Sequence, residues 1–164
     1  IELNQLLADI VGVYDTTAKP GDVPVRLAAP VEGLQVMGRD GPLGQVFRNL
    51  IDNARSFSSA GGEVRVVLDQ VDGDRSVRVR VEDDGPGVPP DNLETVFERF
   101  YTSRPKGAAF GSNSGLGLSI VRQIVEAHGG RVWAENRIED GRVAGAVFEI
   151  NLPAFDPVTP GRRP

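Results

Sequence analysis

Two short glycine-rich segments contain the residues with the clearest chemical potential in this sequence. Residues 83–87 read Asp-Asp-Gly-Pro-Gly and follow the alternating apolar residues Val77, Val79 and Val81, whereas residues 115–118 read Gly-Leu-Gly-Leu and precede an amphipathic run. A carboxylate at the end of a strand offers an acceptor to the exocyclic amine of a base. A glycine-rich segment that begins a helix offers backbone N–H groups and a positive dipole end to phosphate. Together the segments predict a purine nucleotide site, although either one alone is also typical of an ordinary surface turn.

Three amide side chains form a second pattern. Gln45, Asn49 and Asn53 recur every four residues in a predicted helix, so they share one face of it. The neutral carbonyl oxygen of Asn53 suits a Mg²⁺ ion that is also held by phosphate oxygens and water. The alternative is a solvated helix face in which one amide bonds to neighbouring backbone.

The spacing of apolar residues predicts three long helices that position these groups. They cover residues 3–16, about 40–57 and 118–128. Pro42 suits the first turn of the second helix, and the glycines at 129 and 130 suit the end of the third. A shorter helix is predicted from Leu93, Val96, Phe97 and Phe100.

Alternating apolar residues predict the strands. Two short strands are expected at residues 25–27 and 34–37, a hairpin at 64–68 and 77–81 that turns at Asp72-Gly73, and two later strands at 131–135 and 146–152. Residues 101–114 show almost no periodicity, and we expect a long functional loop there. The proline-rich residues from 153 onward are expected to be disordered.

The composition fits one globular domain. The chain has 164 residues, of which 40% are hydrophobic and 25% charged. Its net charge of −5 argues against nucleic-acid or anionic-membrane binding. The absence of cysteine excludes disulfides and thiolate metal sites. No transmembrane run or signal peptide is found, and because the sequence begins inside a helical pattern we expect a domain of a longer protein.

Four motifs in this order and spacing resemble those of the catalytic ATP-binding domains of bacterial sensor histidine kinases. Residues 49–54 resemble the N box, 83–87 the first glycine box, 97–101 the F box and 115–118 the second glycine box. The resemblance spans residues 1–153, with 154–164 as a tail, and is strongest to the ChvG/ExoS/BvrS type of alphaproteobacterial kinases. It implies the Bergerat-type (GHKL) fold, an α/β two-layer sandwich whose mixed sheet is covered on one face by three helices.

The resemblance also implies roles for individual residues. Asn53 would bind Mg²⁺, Asp83 would accept the adenine amino group, and Gly87 would approach the base ring, with Gly85 as a further nucleotide contact. Residues 101–114 would form an ATP lid whose near end is anchored by Phe97 and Phe100, although both phenylalanines also suit ordinary core packing. The other implied contacts with ATP are Tyr101, Arg104, Lys106, Gly115, Leu116, Gly117 and Leu118.

Asn49 separates two chemistries within this group of proteins. Related ATPases carry a glutamate here that activates water, and an amide cannot act as a general base. Transfer of the γ-phosphoryl group to a protein side chain is therefore favoured over hydrolysis. The single histidine, His128, is predicted at a helix end, where contact with carbonyl groups is expected. In the family the accepting histidine lies on a separate dimerisation segment.

Three features depart from the common family pattern. Many relatives have Lys-Tyr where this chain has Ser56-Phe57, threonine where it has Ala146, and asparagine where it has Asp84. The first change removes a cation from the phosphate site. We expect its replacement to be one of Arg55, Arg104 and Lys106.

The resemblance implies a protein-histidine kinase domain that uses Mg²⁺ and ATP, is inactive without the histidine segment, and serves a response regulator. The fragment would be a monomer from the cytoplasmic part of a homodimeric inner-membrane kinase. Two rival functions are a nucleotide-sensing module without phosphoryl transfer and a self-sufficient ATPase, which Asn49 opposes.

Overall fold

The computed structural model describes residues 1–58, 61–71, 73, 75–98 and 117–155. These residues form three helices, α1 (Leu3–Thr16), α2 (Asp40–Phe57) and α3 (Gly117–Ala127). The strands are β1 (Val25–Ala28), β2 (Val64–Val71), β3 (Ser76–Glu82), β4 (Arg131–Glu139) and β5 (Arg142–Pro153). Within the described part of the chain, no helix is both long and apolar enough to cross a membrane.

The strands form one mixed sheet in the order β1-β2-β3-β5-β4. β1 lies parallel to β2, and α2 forms the crossover that such a pair requires. The remaining neighbours are antiparallel, including the predicted β2–β3 hairpin, in which Val66 faces Val81 and Leu68 faces Val79. The predicted mixed sheet with three helices is confirmed.

The alternation of side chains places one face of the sheet in the core. Inward residues of the three central strands are buried: Val64, Val66, Leu68, Val77, Val79, Val81, Phe148, Ile150 and Leu152. The apolar faces of the helices complete the same cluster, with Leu7 from α1, Phe47 and Leu50 from α2, and Val121 from α3. Burying apolar surface on one side of the sheet leaves its other side to charged residues.

Residues 34–37 were predicted as a strand, and this prediction is wrong. The segment makes only two isolated bridges, Gln35 with Glu2 and Val36 with Ala154. Its alternation still reports burial, because Leu34 and Val36 are both buried. Its backbone pairs with both ends of the described chain, and the N–H of Phe155 donates to the Gln35 carbonyl at 2.8 Å. Backbone hydrogen bonds therefore extend to residue 155, although disorder was predicted from residue 153 onward.

The short helix predicted after the first glycine box is instead two 3₁₀ turns, Pro90–Asn92 and Thr95–Phe97. Apolar residues three apart satisfy either geometry, so the spacing alone did not distinguish an α-helix from 3₁₀ turns. Phe97 is buried and packs edge-to-face on Phe148, with 5.9 Å between ring centroids. Phe100, the predicted lid at 101–114 and the residues beyond 155 lie outside the described residues.

Tyr14 fixes α1 against α2. Its hydroxyl donates to Asp52 Oδ1 at 2.6 Å, and the Arg55 guanidinium lies 5.2 Å from its ring centroid. Burial and the Asp52 carboxylate raise the pKa of Tyr14 above its ordinary value. Arg55 also pairs with Asp22 at 3.4 Å. The proposed replacement of the phosphate-site cation by Arg55 is therefore not supported, since this side chain is engaged on the α1 side of α2.

We expect Tyr14→Phe to lower the free energy of unfolding by about 1 kcal/mol, because it removes a hydrogen bond to a carboxylate and keeps the ring. Urea unfolding would measure the loss. In a double-mutant cycle, Asp52→Ala should cost less in the Tyr14→Phe background than in the wild type. Unchanged stability of Tyr14→Phe would show that the bond is not stabilising.

Candidate functional site

Asp83 follows the last residue of β3 and is only 1% exposed. Its Oδ1 accepts from the backbone N–H groups of Gly85, at 2.9 Å, and Ala146, at 3.1 Å. Burial raises the pKa of this carboxyl above its ordinary value, and the two N–H groups oppose that rise. Among the described residues, no donor binds Oδ2. The carboxylate is thus fixed through one oxygen and offers the other as an acceptor.

The two glycines after Asp83 are sites of close contact. A Cβ on Gly85 would collide with the carbonyl of Phe57, so this turn lies against the C-terminal end of α2. Gly87 has a φ of +80°, and a Cβ there would lie 2.6 Å from Asn136 Oδ1. The Asn136 amide bonds both the N–H and the carbonyl of Val88 at 2.7 Å. The segment after β3 is therefore held between α2 and β4.

The three amides of α2 occupy different environments. Gln45 is exposed, Asn49 is half-buried and Asn53 is buried with 8% exposure. Asn49 Nδ2 donates to the carbonyl of Gly117 at 3.3 Å. One face of α2 therefore reaches the first residue of α3, while its C-terminal end meets the turn at Gly85.

The second glycine box is described only in part. Gly117 and Leu118 are the first two residues of α3, and both are half-buried. The N-terminal end of a helix presents backbone N–H groups and a partial positive charge. The other predicted phosphate and lid contacts lie outside the described residues: Tyr101, Arg104, Lys106, Gly115 and Leu116.

Asp84, the third departure from the family pattern, places a second carboxylate next to Asp83 in the chain. In the structure it is engaged in ion pairs with Arg65 of β2, at 2.9 Å, and Arg137 of β4, at 2.7 Å. The Arg65 hydrogen bonds hold the pKa of Asp84 below its ordinary value. Sequence reasoning missed Asn136 and Arg137, which follow the predicted strand at 131–135 in a polar run that begins with Glu135.

The two other departures from the family pattern also have structural settings. The Ser56 hydroxyl donates to the Asn53 carbonyl at 2.8 Å, a hydrogen bond within the last turn of α2. Ala146 contacts Asp83 through its backbone, whose N–H and carbonyl both bind that residue. This pairing is available to any residue with a backbone N–H.

His128 lies at the C-terminal end of α3, and the predicted contact with helix carbonyls is confirmed. Its Nδ1 lies 2.8 Å from the Ile124 carbonyl, and its Nε2 accepts from the Arg39 N–H at 3.4 Å. It lies eleven positions after Gly117, the first residue of α3, which corresponds to about 16 Å along the helix. The imidazole is therefore remote from the start of α3, and both its nitrogens are occupied.

Comparison with known proteins gives consistent matches. Residues 38–155 match the family described as histidine kinase-, DNA gyrase B-, and HSP90-like ATPases. The chain is 49% identical over 133 residues to the sensor protein ChvG of Agrobacterium fabrum, covering 80% of this chain and 22% of that protein. It is 43% identical over 162 residues to ChvG of Rhizobium meliloti, covering 94% and 28%. The chain thus spans about a quarter of the length of these relatives.

Solved structures show the same similarity. A mycobacterial sensor histidine kinase MprB superposes with a TM-score of 0.79 at 30% identity, covering 94% of this chain and 97% of that one. Full-length ShkA in complex with AMPPNP gives 0.74 at 28% identity, covering 94% and 30%. Histidine kinase ThkA in complex with the response regulator protein TrrA gives 0.76 at 28% identity, covering 94% and 41%.

The close approach of Gly145 to Asp83 yields a direct test of the site's packing. A Cβ on Gly145 would collide with the Asp83 carbonyl, so Gly145→Ala should lower the free energy of unfolding by about 1–3 kcal/mol. Gly41→Ala is the control, because its added methyl group meets nothing within 4 Å. Chemical denaturation would compare the two variants, and equal stability would contradict the tight contact.

Proposed function

Since this chain belongs to the family of histidine kinase-, DNA gyrase B-, and HSP90-like ATPases, we propose that it binds Mg·ATP and supplies the γ-phosphoryl group to a histidine of a sensor kinase. The resemblance to sensor histidine kinases, and to ChvG among them, is confirmed. Because the chain covers only part of those relatives, the acceptor histidine is proposed to lie on a separate dimerisation segment of the same protein.

The observation that carries the proposal is the environment of Asp83. One carboxylate oxygen is held by two backbone N–H groups in a buried position, and the other has no donor among the described residues. Adenine carries an exocyclic amine that would satisfy this acceptor, whereas guanine presents a carbonyl at the corresponding position. An adenine nucleotide is therefore the ligand that this site favours.

Asn53 would contribute its carbonyl oxygen to Mg²⁺. No cluster of three or more His, Asp or Glu side chains suited to a metal exists in the described ranges, so the protein alone offers no closed metal cage there. An ion held largely by phosphate oxygens and water fits that composition, because Mg²⁺ keeps several waters and needs few protein ligands. When bound, the ion would neutralise charge on the phosphates.

The start of α3 would hold the phosphates through the N–H groups of Gly115, Leu116, Gly117 and Leu118. Asn49 supports this end of the helix through its bond to the Gly117 carbonyl. The proposed lid residues Tyr101, Arg104 and Lys106 would contact the same phosphates. A similar protein, ShkA, has been solved in complex with AMPPNP, an ATP analogue, which supports nucleotide binding by this fold.

The residues near the phosphates favour transfer over hydrolysis. Asn49 has no basicity, so it would not activate water. The imidazole nitrogen of the accepting histidine would attack the γ-phosphorus, the bond from phosphorus to the β–γ bridging oxygen would break, and ADP would leave. The residues of this chain would thus bind and orient ATP, and the second segment would provide the nucleophile.

The proposed partners follow from this reaction. The phosphohistidine would donate its phosphoryl group to an aspartate of a response regulator, and the similar kinase ThkA has been solved with such a protein. We propose that the full kinase is a homodimer in the inner membrane. This chain would be its cytoplasmic domain and would be a monomer when isolated. A nucleic-acid partner is disfavoured by the net charge of −5.

The wild-type chain should bind ATP about tenfold or more tightly than GTP, because a buried unpaired acceptor at Asp83 costs about 1–3 kcal/mol. Calorimetric titration with each nucleotide in the presence of Mg²⁺ would measure this ratio. Asp83→Ala should remove the preference, whereas Asp91→Asn, at an exposed position, should keep it. Equal affinities for ATP and GTP in the wild type would refute the role of Asp83.

Phosphoryl transfer should require both Asn53 and the separate histidine segment. With γ-labelled ATP and Mg²⁺, the chain alone should show neither appreciable phosphate release nor stable labelling. Adding the dimerisation segment should produce acid-labile label on that segment, slowly because the covalent tether is lost. Asn53→Ala should abolish this label, and Gln45→Ala, at an exposed position of the same helix face, should not.

Three results of that experiment would contradict the proposal. Transfer by Asn53→Ala at the wild-type rate would remove Asn53 from the site. Robust ATP turnover by the chain alone would favour a self-sufficient ATPase, and label on His128 would place the acceptor inside this domain. ATP binding without any label on the histidine segment would favour a nucleotide-sensing module.

A further inference from the structure

We propose that Arg137 and Asp84 form a positioning pair that holds the Asp83 carboxylate where it can accept from the adenine amine. This inference rests on the proposed function. The Arg137 guanidinium joins three groups of the site. Its Nη2 donates to Asp84 Oδ1 at 2.7 Å, to the Asp83 carbonyl at 3.1 Å and to the Ala144 carbonyl at 3.1 Å. One side chain of β4 thus binds the turn after β3 and the neighbouring strand β5.

Asp84 extends this connection across the sheet to β2, which lies on the opposite side of β3 from β5. Its Oδ1 accepts from Arg65 Nη2 at 2.9 Å, and its Oδ2 accepts from the Glu63 N–H at 3.0 Å. Arg65 lies on β2 and Arg137 on β4, two strands that are separated in the sheet by β3 and β5. The Asp84 carboxylate therefore bridges strands that share no backbone hydrogen bonds.

The burial of these groups makes the bridge stronger than an ordinary surface ion pair. The side chains of Arg65, Asp84 and Arg137 are 27%, 30% and 18% exposed. Charges at this depth are screened less than fully exposed ones, and the hydrogen bonds to Asp84 are charge-assisted. The turn after β3 is thus held from both sides by short contacts.

The bridge acts on Asp83 through the backbone. Asp83 Oδ1 is oriented by the N–H groups of Gly85 and Ala146, so the direction of Oδ2 depends on where the 83–85 turn lies relative to β5. Removing Arg137 would take a donor from the Asp83 carbonyl and release one side of Asp84. The turn would then shift, and the acceptor for the adenine amine would move with it.

The charge on Asp84 is needed for this arrangement. An asparagine at this position would have one neutral carbonyl oxygen and would not balance two guanidinium groups. A carboxylate accepts from both arginines and from a backbone N–H at once. We therefore treat Asp84 and Arg137 as coupled residues whose effects on nucleotide selectivity are not additive.

The test measures dissociation constants for ATP and GTP, with Mg²⁺, for the full chain and its variants, alongside thermal unfolding. Arg137→Gln should weaken ATP binding about tenfold and leave GTP binding nearly unchanged, so the ATP/GTP preference falls. Arg137→Lys should give an intermediate preference. In the Asp84→Asn background, Arg137→Gln should have a smaller effect than in the wild type. Arg78→Gln is the control, because it breaks a comparable ion pair with Asp69 away from the turn.

The outcomes separate this inference from the proposed function. If the wild type binds ATP selectively and every Arg137 variant keeps that selectivity, the positioning pair is wrong and the proposed function stands. Equal losses in Arg78→Gln and Arg137→Gln would also overturn it, since they would reflect general electrostatics. A wild type without adenine preference would overturn the role of Asp83 itself. If Arg137→Gln does not fold, Arg137→Lys provides the test. An intermediate ATP/GTP preference would support the positioning pair, and an unchanged preference would overturn it.

Discussion

The double pairing of Asp83 with Ala146 is the interaction on which the site depends. The Asp83 N–H donates to the Ala146 carbonyl as the last bond of a strand ladder, and the Asp83 side chain accepts the N–H of the same residue. The carboxylate oxygen thus takes the place of the carbonyl that would continue the ladder between β3 and β5. The strand ends here, and the acidic group is buried at its end. Such a buried acceptor requires compensation, and the N–H groups of Gly85 and Ala146 supply it on one oxygen. The other oxygen is the acceptor to which we assign the proposed preference for adenine.

One helix relates this acceptor to the proposed phosphate site. The apolar face of α2 packs into the core through residues such as Phe47 and Leu50, which fixes its position over the sheet. Its C-terminal end meets Gly85, and its amide face meets Gly117 at the start of α3. The proposed base and phosphate sites therefore both contact one rigid helix, so packing in the core determines the distance between them.

Local patterns predicted the parts of the fold that are governed by local interactions. The spacing of Leu3, Leu7 and Ile10 predicted α1, and the alternation around Val66 and Val79 predicted the hairpin. The segment at 34–37 was mistaken for a strand because alternation reports burial and does not reveal a partner. The Arg137–Asp84 contact joins residues 53 positions apart, and no periodicity encodes such a pair. The extension of β4 and β5 to a tight turn at Asp140-Gly141 was also missed, although an Asp-Gly pair with both residues at positive φ is a common hairpin turn.

The segment at 34–37 also has a mechanical consequence. The backbone nitrogen of Ile1 donates to the Val36 carbonyl at 2.8 Å, and Val36 returns a bond to the Ile1 carbonyl at 3.0 Å. Ala154 bridges to the same Val36, and Phe155 bonds to Gln35. Tension applied between residues 1 and 155 would therefore be borne first by these few bonds, and the sheet and α2 would carry little of it. None of these bonds involves the turn at 83–87 or the start of α3, where the nucleotide site is proposed.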